Sequence, residues 1–174
     1  MIKFVAECGL NHNGNLDLIY ELIRQAKWSG ADIVKFQLGW RGKEGELNHI
    51  DSKRLSSIIE YSNYMEIEPM FSIFEIDSYE LIKPYKLQRI KIASRTVIDN
   101  PELVQRIIND NNFTYISLGM WDKYTMPFKF AENVKYLWCK SKYPLLPEDL
   151  KGFPKVFNKN KFYGYSDHTL GIET

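Results

Sequence analysis

Two lysines stand inside apolar, strand-like runs: Lys35 in DIVKFQL (32 to 38) and Lys91 in LQRIKIA (87 to 93). Alternation along a strand puts Ile33, Lys35 and Gln37 on one face of the first run, and Lys91 on the face opposite Ile90 and Ile92 in the second. An ammonium on a buried strand face is costly unless an anion or hydrogen-bonding groups compensate it. Two readings follow. Either the lysines share a bound anion, or each lies near a strand end and reaches solvent or a carboxylate such as Glu7. Small hydroxyls recur at strand ends: Ser72 in PMFSIF, Ser94 after IKIA, Ser117 in FTYISL, Ser141 after VKYLWC and Ser166 in KFYGYS. Singly each is an ordinary turn residue. Converging with the lysines, they suit a phosphorylated or carboxylated small molecule. His12, His49 and His168 show no H-x-x-x-H or H-E-x-x-H spacing, so spacing alone gives no metal site. GWRGKEGEL has glycines without the order of a P-loop and reads as a loop.

The elements that position these residues alternate in type. IKFVA (2 to 6), DIVKFQL (32 to 38), PMFSIF (69 to 74), LQRIKIA (87 to 93), FTYISL (113 to 118), VKYLWC (134 to 139) and KFYGYS (161 to 166) read as strands. Between the first two, Leu16, Ile19, Leu22, Ile23 and Ala26 recur at helical spacing, with Asn15 placed to cap and Gly30 to stop the helix. Asp51 opens a second helical pattern through Leu55, Ile58 and Ile59. A short third helix is expected with Asp77 as its cap and Glu80 three residues on. Asn100 followed by Pro101 opens another, with Leu103, Val104, Ile107 and Ile108 on one face. From 119 to 133 no helical period is visible, and PEDLKGFPKVF supports a short, interrupted helix at best.

Strands alternating with helices imply βαβ units and parallel pairing, and seven at even intervals favour an α/β, TIM-barrel-like fold over a doubly wound sheet. A complete eight-unit barrel takes at least about 200 residues. With 174 residues, a single compact or incomplete barrel domain over 1 to 174, of about seven strands with reduced helices, is expected. The 23 basic and 22 acidic residues give a net charge of +1, which argues against nucleic acid as a partner. No apolar stretch approaches the length of a membrane span, and Cys8 and Cys139 form no C-x-x-C pair. A cytoplasmic setting with reduced thiols is the expectation.

AECGLNHNGN, ADIVKFQ, IKIAS, ISLGM, WCKSKYP and GYSDHTLGIE, in this order, resemble the motifs of the sialic acid synthase family, which includes N-acetylneuraminate, legionaminate and pseudaminate synthases and the spore-coat polysaccharide enzymes. The resemblance implies an N-terminal TIM barrel and a carbon–carbon bond-forming reaction between phosphoenolpyruvate and an N-acetylated amino sugar, with a divalent metal, often manganese. By the same resemblance Lys35, Ser72, Lys91, Ser94, Ser117, Ser141 and Ser166 match positions that hold phosphoenolpyruvate. Glu7 matches the acidic residue of the first strand, Gln37 lines the same pocket, and His168 matches one of two histidine metal ligands.

The departures are specific. A carboxylate follows the fourth-strand serine in the family, where A-S-R-T leaves Thr96; C-T-S-x-Y-P appears as C-K-S-K-Y-P and S-T-G-M as S-L-G-M. The second histidine ligand belongs to an eighth strand, which together with the family's small C-terminal antifreeze-like domain is expected to be missing here. The expected function is phosphoenolpyruvate-dependent synthesis of a sialic-acid-like nonulosonate. The alternative is a degenerate relative that binds an anionic metabolite or serves as a partner subunit. Weak metal binding and homo-oligomer formation complete the expectations.

Overall fold

The computed structural model describes residues 2 to 110, 113 to 158 and 161 to 171. Among them are seven strands and five α-helices in the order β1 (Val5–Gly9), α1 (Leu16–Trp28), β2 (Ile33–Leu38), α2 (Ser52–Tyr64), β3 (Glu68–Ile73), α3 (Ile76–Ile82), β4 (Arg89–Ile92), α4 (Ser94–Asp99), α5 (Pro101–Asp110), β5 (Phe113–Ser117), β6 (Val134–Cys139) and β7 (Gly164–Ser166). Strand–helix alternation with parallel pairing is the α/β, TIM-barrel-like pattern expected. The chain divides into two compact units, the first through Ile90 and the second from Lys91 onward.

In the first unit β1 pairs with β2 and β2 with β3, all parallel. Ile19 and Ile23 of α1 and Leu55 and Ile58 of α2 are buried with Ile33 and Phe36 of β2 and Phe71 and Ile73 of β3. Each such side chain contributes about 1.5 to 3 kcal/mol on burial. Asn15 caps α1 as expected, its side chain accepting from the amides of Asp17 and Leu18, and Gly30 follows the helix at φ +82°. Asp51 caps α2 through the Arg54 amide.

Two expectations are corrected here. The first strand begins at Val5, because Ile2 and Phe4 are exposed and Phe4 is held by the Asp32 carboxylate, which accepts its amide at 2.9 Å. The shift carries Glu7 into the strand, with a register irregularity between Glu7 and Gly9, where Gly9 takes φ +52°. The cap of α3 is Glu75, not Asp77, which sits in the first turn with its charge near the helix N-terminus.

In the second unit β5 pairs with β6 and β6 with β7, again parallel. Val104 and Ile107 of α5 are buried, as are Ile116 of β5 and Tyr136 of β6. The Asn100 side chain accepts from the Leu103 amide, as the Asn–Pro start predicts. Helix α4 has no counterpart in the sequence reading, since its six residues show no apolar period. No helix is assigned between β5 and β6, and Pro147–Asp149 forms a single 3-10 turn. Among the described residues no helix is long and apolar enough to cross a membrane.

Candidate functional site

The first unit gathers Glu7, Lys35, Gln37 and Ser72. Parallel register sets Glu7 beside Lys35 and Gln37 beside Ser72. The Lys35 ammonium is buried, ion-paired with the half-exposed Glu7 carboxylate, and donates to Ser72 Oγ at 3.3 Å. For Lys35 the carboxylate reading therefore holds, and Glu7 offsets the cost of burying its charge. Gly9 keeps this corner open: a Cβ there would lie 3.2 Å from Glu7 Oε1 and 3.5 Å from Gln37 Nε2. Cys8 is buried, and burial pushes its thiol up to about 11. His12 is fully buried, accepts the Gly14 amide on Nδ1 at 3.1 Å and packs edge-on against Phe36. Burial, and then the nearby Arg54 charge, hold it below the usual histidine range, and its buried Nε2 takes no hydrogen bond.

The second unit gathers the other lysine and most of the hydroxyls. Lys91 is 4% exposed, and its ammonium donates to the Ile92 carbonyl at 2.7 Å with no carboxylate partner among the described residues. Burial lowers its pKa to about 8, and the Cys139 thiol acts weakly in the other direction. Ser94 opens α4 directly after β4, and its Oγ accepts the Gly119 amide at 2.8 Å, which leaves the hydroxyl proton available to donate. Ser117, at the end of β5, has a buried Oγ without a hydrogen-bond partner. Gly119 lets two strand ends approach: a Cβ there would meet Ser141 Oγ at 2.5 Å and Cys139 Sγ at 2.8 Å. Ser166 in β7 pairs in register with Cys139.

His168 stacks on Tyr143 with ring centroids 4.7 Å apart, and the Tyr143 hydroxyl lies 3.3 Å from its Nε2. Sequence reasoning did not single out Gly119 or Tyr143, although both stand in quoted motifs, ISLGM and WCKSKYP. A divalent metal needs several convergent ligands. Among the described residues no group of three or more His, Cys, Asp or Glu side chains could hold one, so these residues do not fit the expected metal. Thr96, at the position of the expected carboxylate, is 2% exposed within α4.

Comparison with known proteins gives the family and the fold. A model described as the NeuB family matches residues 42 to 174. The N,N'-diacetyllegionaminic acid synthase of Legionella pneumophila is 31% identical over 209 residues, spanning 97% of this chain and 58% of that protein. An uncharacterized protein of Methanocaldococcus jannaschii is 30% identical over 190 residues, spanning 97% and 56%. The chain thus spans somewhat over half the length of these relatives, and alignments longer than its 174 residues place gaps within it. Among solved structures, an N-acetylneuraminic acid synthetase of Leptospira borgpetersenii in complex with citrate superposes with a TM-score of 0.83 at 25% identity, over 99% of this chain and 67% of that one.

Proposed function

The chain belongs to the NeuB family, and from that premise we propose that it condenses phosphoenolpyruvate with an N-acetylated amino sugar, releasing phosphate and forming a sialic-acid-like nonulosonate. The observation that carries the reading is Lys91: a buried ammonium with no carboxylate partner, in a unit that also presents a partnerless buried hydroxyl, Ser117, and a hydroxyl with a free proton, Ser94. Such a set is complementary to phosphate or carboxylate. In this reading Lys91, Ser94, Ser117, Ser141 and Ser166 hold the donor. Lys35, Glu7, Gln37 and Ser72 of the first unit stand at positions that the family resemblance assigns to the same reaction. The enol carbon attacks the sugar aldehyde to form the new carbon–carbon bond, water adds at the cationic carbon left behind, and cleavage of that carbon's bond to the phosphate oxygen gives the 2-keto acid and phosphate. Fixed positive charge stabilises the donor's oxygens throughout. Glu7 is the carboxylate available to move a proton, since Thr96 cannot.

Thr96 also supports a second reading, a relative that binds the anion without turning it over. Phosphoenolpyruvate should raise the Tm of the wild type by several degrees, and that of Lys91→Ala little. Equal shifts would remove the anion site. Phosphate release with amino sugars then separates the readings, because binding without release favours the second.

A further inference from the structure

Among the described residues the Lys91 ammonium has one hydrogen-bond partner, the uncharged Ile92 carbonyl at 2.7 Å, and the residue is only 4% exposed. A carbonyl compensates a buried cation poorly, so the neutral amine gains relative to the ammonium. The surrounding strand ends, all in the second unit, supply hydroxyls instead of carboxylates. Ser94, just past β4, accepts the Gly119 amide on its Oγ at 2.8 Å and so ties the end of β4 to that of β5, its neighbour in the sheet. Its hydroxyl proton stays free to donate, and Ser117 Oγ at the end of β5 is buried without a hydrogen-bond partner. Cys139 of β6 is the titratable side chain that acts on Lys91. Burial brings Lys91 down to about 8, so at pH 7 about a tenth of it is free amine, against roughly three parts in ten thousand for an ordinary lysine. A desolvated amine is a nucleophile toward carbonyl carbon, and hydroxyl donors at the adjoining strand ends suit a carboxylate.

We propose that Lys91 is also a covalent site, where its amine condenses with the keto carbon of a short 2-oxo acid whose carboxylate is held by the Ser94 and Ser117 hydroxyls. The amine lone pair adds to the carbonyl carbon, both amine protons leave with the carbonyl oxygen as water, and a carbon–nitrogen double bond remains; nothing is oxidised or reduced. A 2-oxo acid is the class of the product in the synthase reading above, so on that reading the imine is a reversible block on the donor site. Bound phosphoenolpyruvate opposes it twice, by occupying the hydroxyls and by favouring the ammonium over the amine. The test incubates the purified chain with pyruvate, reduces any imine to a stable secondary amine with borohydride, and locates adducts by peptide mass spectrometry. Lys91 should be labelled at least about ten-fold faster at pH 7 than exposed lysines such as Lys53 and Lys129, and its rate should level off above pH 8. Phosphoenolpyruvate should suppress the Lys91 adduct several-fold. No adduct at Lys91, labelling no faster than at Lys53 and Lys129, or a rate that climbs steadily well beyond pH 8 would overturn the proposal. The two readings fail separately: a Lys91 adduct that phosphoenolpyruvate does not suppress removes the shared donor site and leaves the covalent site standing, whereas a chain whose Tm rises with phosphoenolpyruvate but that forms no adduct keeps the donor reading and overturns this one.

Discussion

Lys91 pays for its place in β4 with stability. Its pKa falls from 10.5 to about 8 on burial, so the folded chain holds this proton less tightly than the unfolded chain. Between pH 8 and 10.5 the unfolded state binds more protons, and stability therefore rises with pH through that window. Below pH 8 the full penalty, roughly 3 kcal/mol, is present. Lys91→Met should accordingly be more stable than the wild type at pH 7, by roughly 1 to 3 kcal/mol, and lose that advantage as the pH approaches 10.5. Cys8 titrates nearby with the opposite sign, since burial raises it from 9.0 to about 11 and its contribution fades as the pH rises through that range. It does so in both proteins and cancels in the difference. Denaturant unfolding at stepped pH measures the comparison, and a constant gap between the two proteins would contradict it. His168 carries a second expectation at this scale. With no cluster of three ligands among the described residues, manganese titrated into the chain alone should give little heat, whereas tight stoichiometric binding would reveal ligands beyond them.

The ends of β5 and β6 meet at Gly119. A methyl group there would collide with Ser141 Oγ at 2.5 Å, Cys139 Sγ at 2.8 Å and the Ser141 amide nitrogen at 2.8 Å, and the last of these is backbone that cannot rotate away. Gly119→Ala should force these strand ends apart, weaken the Gly119 amide bond to Ser94, and cost roughly 1 to 3 kcal/mol. Equilibrium unfolding reads the stability, and loss of phosphoenolpyruvate-induced stabilisation reads the site; an unchanged variant would show that the approach relaxes freely. This contact was out of reach of the sequence, because it depends on two loops closing on one point. What was legible is what local chemistry dictates. Asn15, Asp51 and Asn100 announced three helices through their caps, and apolar runs located β2, β3, β5 and β6 within a residue or so at each end. The start of β1 was missed because Ile2 and Phe4 look like core yet lie exposed. Helix α4 was missed because six residues are too few to display a period. Lys35 and Lys91 look alike in sequence, and only strand register gives one of them Glu7.

At the scale of the whole molecule the surface is unusually apolar in places. Ile2 is 78% exposed, Phe4 67% and Trp28 68% in the first unit, and Val156 is 71% exposed in the second. Tyr124 in the helix-free stretch is fully exposed. Among the described residues of its own unit β1 pairs with β2 alone, and β7 with β6 alone, so each strand has a side on which those residues offer no partner. Uncovered strand edges and exposed apolar side chains favour association. We propose that the chain assembles as a homodimer or larger, with the residues before β1 in the contact. Sedimentation velocity at low micromolar concentration should then show a species of at least twice the monomer mass. Phe4→Lys, at a side chain 67% exposed in the chain, should weaken self-association about ten-fold or more while leaving the unfolding midpoint of the monomer unchanged. A wild type that sediments as a monomer, or an assembly indifferent to Phe4→Lys and to the companion change Ile2→Lys, would show that these residues lie outside any contact between copies.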